Sequence, residues 1–238
     1  MRKTIVASML ALAAFAAGSE AKAAGWGLHS GDTLNAGDNM LYGEVGWPSL
    51  DLGFQHGMSP KVDLGFRFSL LYGYEYTPWT HVGLGMRVPI RIGAVKRDKW
   101  SFLFHIDPGI KFASFSGGNG YCTGRGCAGW GWGGGWGGFG YRGGLQFGLW
   151  VPLGLEFGIH VTREAHIQFG MEIPLYINFT NGVFGSIPIL FGPGFEYTID
   201  QHMAVGINTK FGPSITAWEG ASFAAFGFIT QVYFAYRL

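Results

Sequence analysis

His105 and Asp107 stand two positions apart, and Glu156, His160, His166 and Glu172 follow at even positions in two later segments. A histidine beside a carboxylate can act as a general base, so this is where chemistry would be sought. No G-x-S-x-G or comparable nucleophile motif accompanies the set, and a histidine among carboxylates is more often one member of an ion-pair network. The expectation is a protein that is not an enzyme and has no catalytic residues. Cys122 and Cys127 are the two thiols of the chain. Without a neighbouring histidine or further cysteine they cannot complete a tetrahedral site, so no metal and no cofactor is expected, and a local disulfide is the natural reading in an exported chain.

The other charged residues recur at alternate positions of apolar segments. Asp63, Arg67, Arg87, Arg91, Asp107, Lys111, Glu156, Glu172, Glu196, Lys210 and Arg237 all fall on the polar side of such a segment, and the two signs nearly balance. Period-two alternation sends successive side chains to opposite faces of a strand. Leu64, Phe66, Phe68 and Leu70 oppose Asp63, Gly65, Arg67 and Ser69. Val82, Leu84, Met86, Val88, Ile90 and Ile92 oppose Gly83, Gly85, Arg87, Pro89 and Arg91, a register hard to obtain by accident. Similar runs begin at Trp100, Leu145, Ala165, Ile187, Met203 and Phe226, and a weaker pair covers residues 39–47 and 49–56. Leu103 and Pro108 interrupt the third run, and the stretch from Leu145 to Val161 is one long strand or two pieces bent at Pro152.

These segments make about ten strands, with eight or twelve also compatible. The fold expected is all-β, an antiparallel up-and-down transmembrane β-barrel. A membrane helix over the uncharged stretch 173–195 is opposed by Pro174, Pro188 and Pro193. A soluble sandwich would carry Lys, Glu and Thr on its outer face, whereas one face here is rich in Phe, Leu and Ile and the other in glycine. Glycine on an inner face makes room for large neighbours in a narrow barrel.

The N-terminus adds an address. Arg2 and Lys3, an apolar run from Ile5 to Ala17, and Ala21-Lys22-Ala23 fit a cleavable signal peptide over 1–23. Residues 24–38 are expected to form a short periplasmic segment and residues 39–238 the barrel. Turns around Met58, Val95, Arg163 and Gln201 are short, while longer connections are expected around Tyr72 to Trp79, 113–139, Asn178 to Ser186 and Gly212 to Gly220. The outer loop 113–139 is glycine-rich and carries Trp130, Trp132 and Trp136, a surface suited to sugar, lipid or partner contact or a loop without ligand. Tyr42, Trp47, Tyr72, Trp79, Trp100, Trp150, Tyr176, Trp218 and Tyr236 fall near strand ends, as rings at a membrane–water boundary do, with Trp150 facing inward in this register.

In signal peptide, alternating strands, long outer loops and C-terminal strand, the chain resembles small bacterial outer-membrane β-barrel proteins over about residues 39–238. The resemblance implies an outer-membrane location, contact with membrane lipids and outer-leaflet glycolipid, and a last strand read by the barrel-assembly machinery. Val232, Phe234, Tyr236 and Leu238 supply that alternating signal, with Leu238 where the family commonly ends in an aromatic residue. A net charge of +1 offers nothing to nucleic acid, and a monomer is expected. In a barrel of about ten strands the interior is little wider than its side chains. A lumen filled by ion pairs, in a protein with a structural, surface-contact or narrow-pore role, is therefore expected; a small-solute porin is the alternative, and a lipid-modifying barrel enzyme is less favoured.

Overall fold

The computed structural model describes residues 26–73, 82–115, 144–180, 184–218 and 221–238. Among the described residues there are thirteen strands: β1 (Asn39–Trp47), β2 (Ser49–Ser59), β3 (Val62–Leu71), β4 (Val82–Arg87), β5 (Ile90–Lys96), β6 (Trp100–Ile106), β7 (Gly109–Phe115), β8 (Gly144–His160), β9 (Ala165–Asn178), β10 (Phe184–Pro188), β11 (Leu190–Thr198), β12 (Met203–Trp218) and β13 (Ala221–Arg237). They form one antiparallel sheet in which β13 pairs with β1 and β8 with β9, so the sheet closes into a barrel.

The barrel has ten staves, because three of them are interrupted by proline. Both β4 and β5 pair with β3, both β6 and β7 with β8, and both β10 and β11 with β9 and β12. The interruptions fall at Pro89, at Pro108 and at Ile189 directly after Pro188. A proline has no N–H to give the ladder, but its carbonyl still accepts. Gly65 donates to Pro89, Val88 to Pro108, Asp107 to Pro152 and Ile189 to Pro213, so register is kept across each gap. Pro152 itself pairs with Pro174 inside unbroken strands, and β8 is one strand, not two.

Partners traced perpendicular to the strands run from Arg237 through Met40, Gln55, Gly65, Pro89, Asp107, Pro152, Pro174, Pro188 and Ser214. They return to β13 at Ala225, a stagger of 12 residues, from 237 to 225. Stagger of this kind tilts the strands by roughly 35–45° and sets the barrel's width.

The two faces differ as alternation requires. Leu52, Phe54, Phe66, Leu84, Phe104, Leu149, Phe169, Phe191, Ile207, Phe211 and Phe228 are exposed on the outside. Asp51, Asp63, Arg87, Arg91, Asp107, Lys111, Glu156, Glu196 and Lys210 are buried on the inside. Tyr42 lies over Gly53, its partner on β2, and Tyr233 over Gly206, its partner on β12. A Cβ at either glycine would overlap the ring.

Several expectations change. Of the segment expected over 24–38, residues 26–38 lie within the barrel: Trp26, Leu28, Leu34 and Asp32 are buried among inward side chains, and the segment fills one end of the lumen. It folds in because Trp26, Leu28 and Leu34 find an apolar cluster there with Met40, Tyr42, Ala204, Tyr233 and Ala235. Residues 113–115 belong to β7, not to a loop. The connection expected over Gly212 to Gly220 is mostly strand, with β12 running to Trp218 and β13 starting at Ala221. Tyr42 and Tyr176, expected at a boundary, point inward with Trp150 and are buried. Leu103, read as a break, is a buried apolar residue in an inward position.

Candidate functional site: a lumen closed by the N-terminal segment

His29 bridges the barrel from side to side. Its Nδ1 lies 2.8 Å from Glu156 Oε1, and its Nε2 lies 3.4 Å from Glu44 Oε1. Glu44 is on β1 and Glu156 on β8, the first and sixth of ten staves, so they face each other across the lumen. The connection extends both ways. Arg67 on β3 donates to Glu44 at 2.6 Å and to the Tyr42 hydroxyl at 2.9 Å. Lys210 on β12 lies 3.7 Å from Glu156 and donates to Glu172 at 2.9 Å. Charges this deep are expensive unless paired, and each here offsets the desolvation of another.

The backbone of the segment is also tied to the wall. Leu28 N–H donates to Glu196 at 2.9 Å, and the same carboxylate accepts the Tyr233 hydroxyl at 3.0 Å. Arg91 donates to the carbonyls of Gly27 and Asp32, and to Gln55 at 2.8 Å, and lies 3.4 Å from Asp63. Asp63 in turn accepts the Leu34 amide at 3.0 Å. Ser101 donates to Ser30 O at 2.9 Å, and Thr33 to Pro60 O at 2.9 Å. At Gly158 on β8, a Cβ would overlap the Ser30 carbonyl oxygen, so the close approach of segment to wall requires glycine there.

Towards the opposite end lies a second charged group. Asp51 accepts from Ser49 at 2.6 Å, from Gln231 at 2.8 Å and from Ser69. Arg87 sits 3.2 Å from Asp51 and 3.8 Å from Asp107, with its guanidinium carbon 3.8 Å from the centroid of the Trp150 ring. Lys111 is placed against the Trp150 and Tyr176 rings, 4.9 and 5.2 Å from their centroids. A cation over an aromatic face in a desolvated site gains about 2 kcal/mol. Leu71, Trp150 and Tyr176 form the second buried apolar cluster.

The space left between the two groups is a cavity of about 50 Å³ lined by His29, Arg67, Arg87, His105, Glu156 and Lys210 among others. That is room for a few waters. His105 Nδ1 lies 3.4 Å from Asp107 Oδ1, and both line this cavity.

The structure thus places all eleven charged residues singled out from the sequence on the inner side, in separate groups. Glu44, Arg67, Glu156, Glu172 and Lys210 are joined through His29, whereas Arg87 and Asp107 form part of the second group with Asp51. Asp63 and Arg91 hold the segment, as does Glu196. Arg237 lies at the rim, 3.6 Å from Asp38 and over the Trp26 ring. Val232, Phe234, Tyr236 and Leu238 are exposed on the outer face. Cys122, Cys127, Trp130, Trp132 and Trp136 lie outside the described residues. Sequence reasoning passed over Glu44 and Asp51, although both alternate with Leu41, Val45, Leu50 and Leu52 and were open to the same argument. His29 and Asp32 stand in a segment without period, where no local signal points inward. Among known proteins, the chain matches no protein-family model and no curated protein.

Proposed function

We propose that this chain is a bacterial outer-membrane barrel, exported by the signal peptide at 1–23, that sits in the bilayer as a closed structural unit and presents its connections for surface contact. The observation that carries the membrane reading is inversion: the closed barrel keeps its apolar side chains outside and its charges inside. An apolar outer band is what lipid requires of a spanning barrel. Membrane lipids, outer-leaflet glycolipid and the assembly machinery are its partners on this reading, and Leu238 ends the assembly strand. Outer-membrane fractionation with heat-modifiable gel migration tests it. Recovery in the soluble periplasm, or migration that ignores heating, would overturn it.

A closed lumen is favoured over a porin because the His29 bridge crosses the bore and apolar clusters lie on either side of it. Planar-bilayer recordings should show no steady channel steps from the mature protein. Long-lived steps at neutral pH would make it a pore. We also read the protein as non-catalytic: His105 faces Asp107, whose other neighbour is Arg87. The membrane lipid profile of cells carrying His105→Ala should match that of cells with the unaltered protein.

A further inference from the structure

We propose that Asp32, His160 and His166 form a binding site for a divalent transition-metal cation, with Zn(II) the reference ion, that clamps the N-terminal segment to the hairpin between β8 and β9. Asp32 belongs to the segment; His160 ends β8 and His166 is the second residue of β9, paired directly across the turn. One nitrogen from each ring and one carboxylate oxygen all lie within 4.8 Å of one another, and all three residues are buried.

Part of the donor set makes no hydrogen bond. Both oxygens of Asp32 and the Nε2 atoms of His160 and His166 have no hydrogen-bond partner, although they are shielded from solvent. A buried acceptor without a hydrogen bond costs about 1–3 kcal/mol. The rings contact each other through Nδ1, 2.6 Å apart, and His160 Nε2 is 3.6 Å from Asp32 Oδ2. Two imidazoles and one carboxylate are a common ligand set for zinc and its first-row neighbours, leaving a fourth position for water or another ligand.

The surroundings suit capture of an ion. A cavity of about 280 Å³ lined by Gly31, Thr33 and Lys96 reaches both chain neighbours of Asp32 from the short-turn end. Lys96 Nζ lies 3.8 Å from Asp32, a cation contact that a bound dication would replace. Without a cation, the same residues are a proton-sharing histidine pair beside a carboxylate.

The test uses untagged mature protein, refolded in detergent, stripped with chelator and titrated with ZnCl2 by calorimetry. One Zn(II) per chain is expected, with His160→Gln/His166→Gln losing the site and Asp32→Asn weakening it by roughly tenfold or more. His56→Gln should retain it. Bound Zn(II) should also slow proteolytic cleavage within residues 26–38. No stoichiometric binding, or binding unchanged in the cluster variants, would overturn the proposal. If those variants fail to fold, Co(II)-loaded unaltered protein decides: the ring C–H resonances of two histidines should be paramagnetically shifted, and fewer than two shifted rings would overturn it.

Discussion

The backbone amide of Leu28 donates to the Glu196 carboxylate at 2.9 Å across 168 residues of sequence. Glu196 also accepts the Tyr233 hydroxyl and lies near the His29 amide, so one side chain of the wall holds the end of the segment that closes the bore. Glu196→Ala leaves a buried amide and a buried hydroxyl without an acceptor. A loss of about 1–3 kcal/mol per unsatisfied group is expected, read as a lower urea midpoint in detergent. Glu196→Gln, which keeps one acceptor oxygen, should lose less. Equal stability of all three proteins would mean that this contact does not hold the segment.

Gly158 admits the Ser30 carbonyl to the wall. Gly158→Val should push the segment out of the lumen while leaving the strand pairing intact. The readout is limited proteolysis: cleavage within 26–38 should become fast, with heat-modifiable migration preserved.

Arg67 and Glu44 form the tightest ion pair of the central bridge, 2.6 Å apart, and Glu44 is fully buried. Arg67→Ala takes from that carboxylate its nearer cation and leaves the His29 contact at 3.4 Å, and removing one member of such a pair costs about 3–5 kcal/mol. Arg67→Ala with Glu44→Gln removes the carboxylate charge as well. The double variant should recover most of the stability lost by the single one, and additive losses would show that the pair acts independently.

Phe211 lies exposed near the middle of β12, and Leu238 lies exposed beyond the end of β13. If lipid covers the outer face, Phe211→Arg should destabilise by about 2–4 kcal/mol and Leu238→Arg by about 0–1 kcal/mol, because the penalty depends on depth. In a barrel surrounded by water both substitutions would be near neutral. Unfolding from lipid vesicles separates the two outcomes.

The fold was legible because a strand wall between two environments must alternate, and the alternation survives in the one-dimensional pattern. The six apolar positions from Val82 to Ile92 announce a stave even though Pro89 breaks its ladder. Glycine on the inner face as room for large neighbours was legible too, but not which neighbours: Tyr42, which lies over Gly53, was expected at a membrane boundary. What alternation does not state is which partner an inward charge will meet. Arg87 could not be assigned to Asp51, Asp107 and the Trp150 ring without the 12-residue stagger that sets the heights of the staves.

From the sequence alone came the staves, their inward and outward faces, and the balance of charge inside, since each depends on local period and composition. The tertiary structure decided the rest. Residues 26–38 carry no period, so only the closed wall shows that Trp26, Leu28 and Leu34 bury themselves within it. His29 and Asp32 gain their meaning the same way: one meets carboxylates from opposite walls, the other two histidines that the β8–β9 turn had already brought together. The contacts to Glu156, His160 and His166 join residues more than a hundred positions apart, and they exist only after the barrel has closed around the segment.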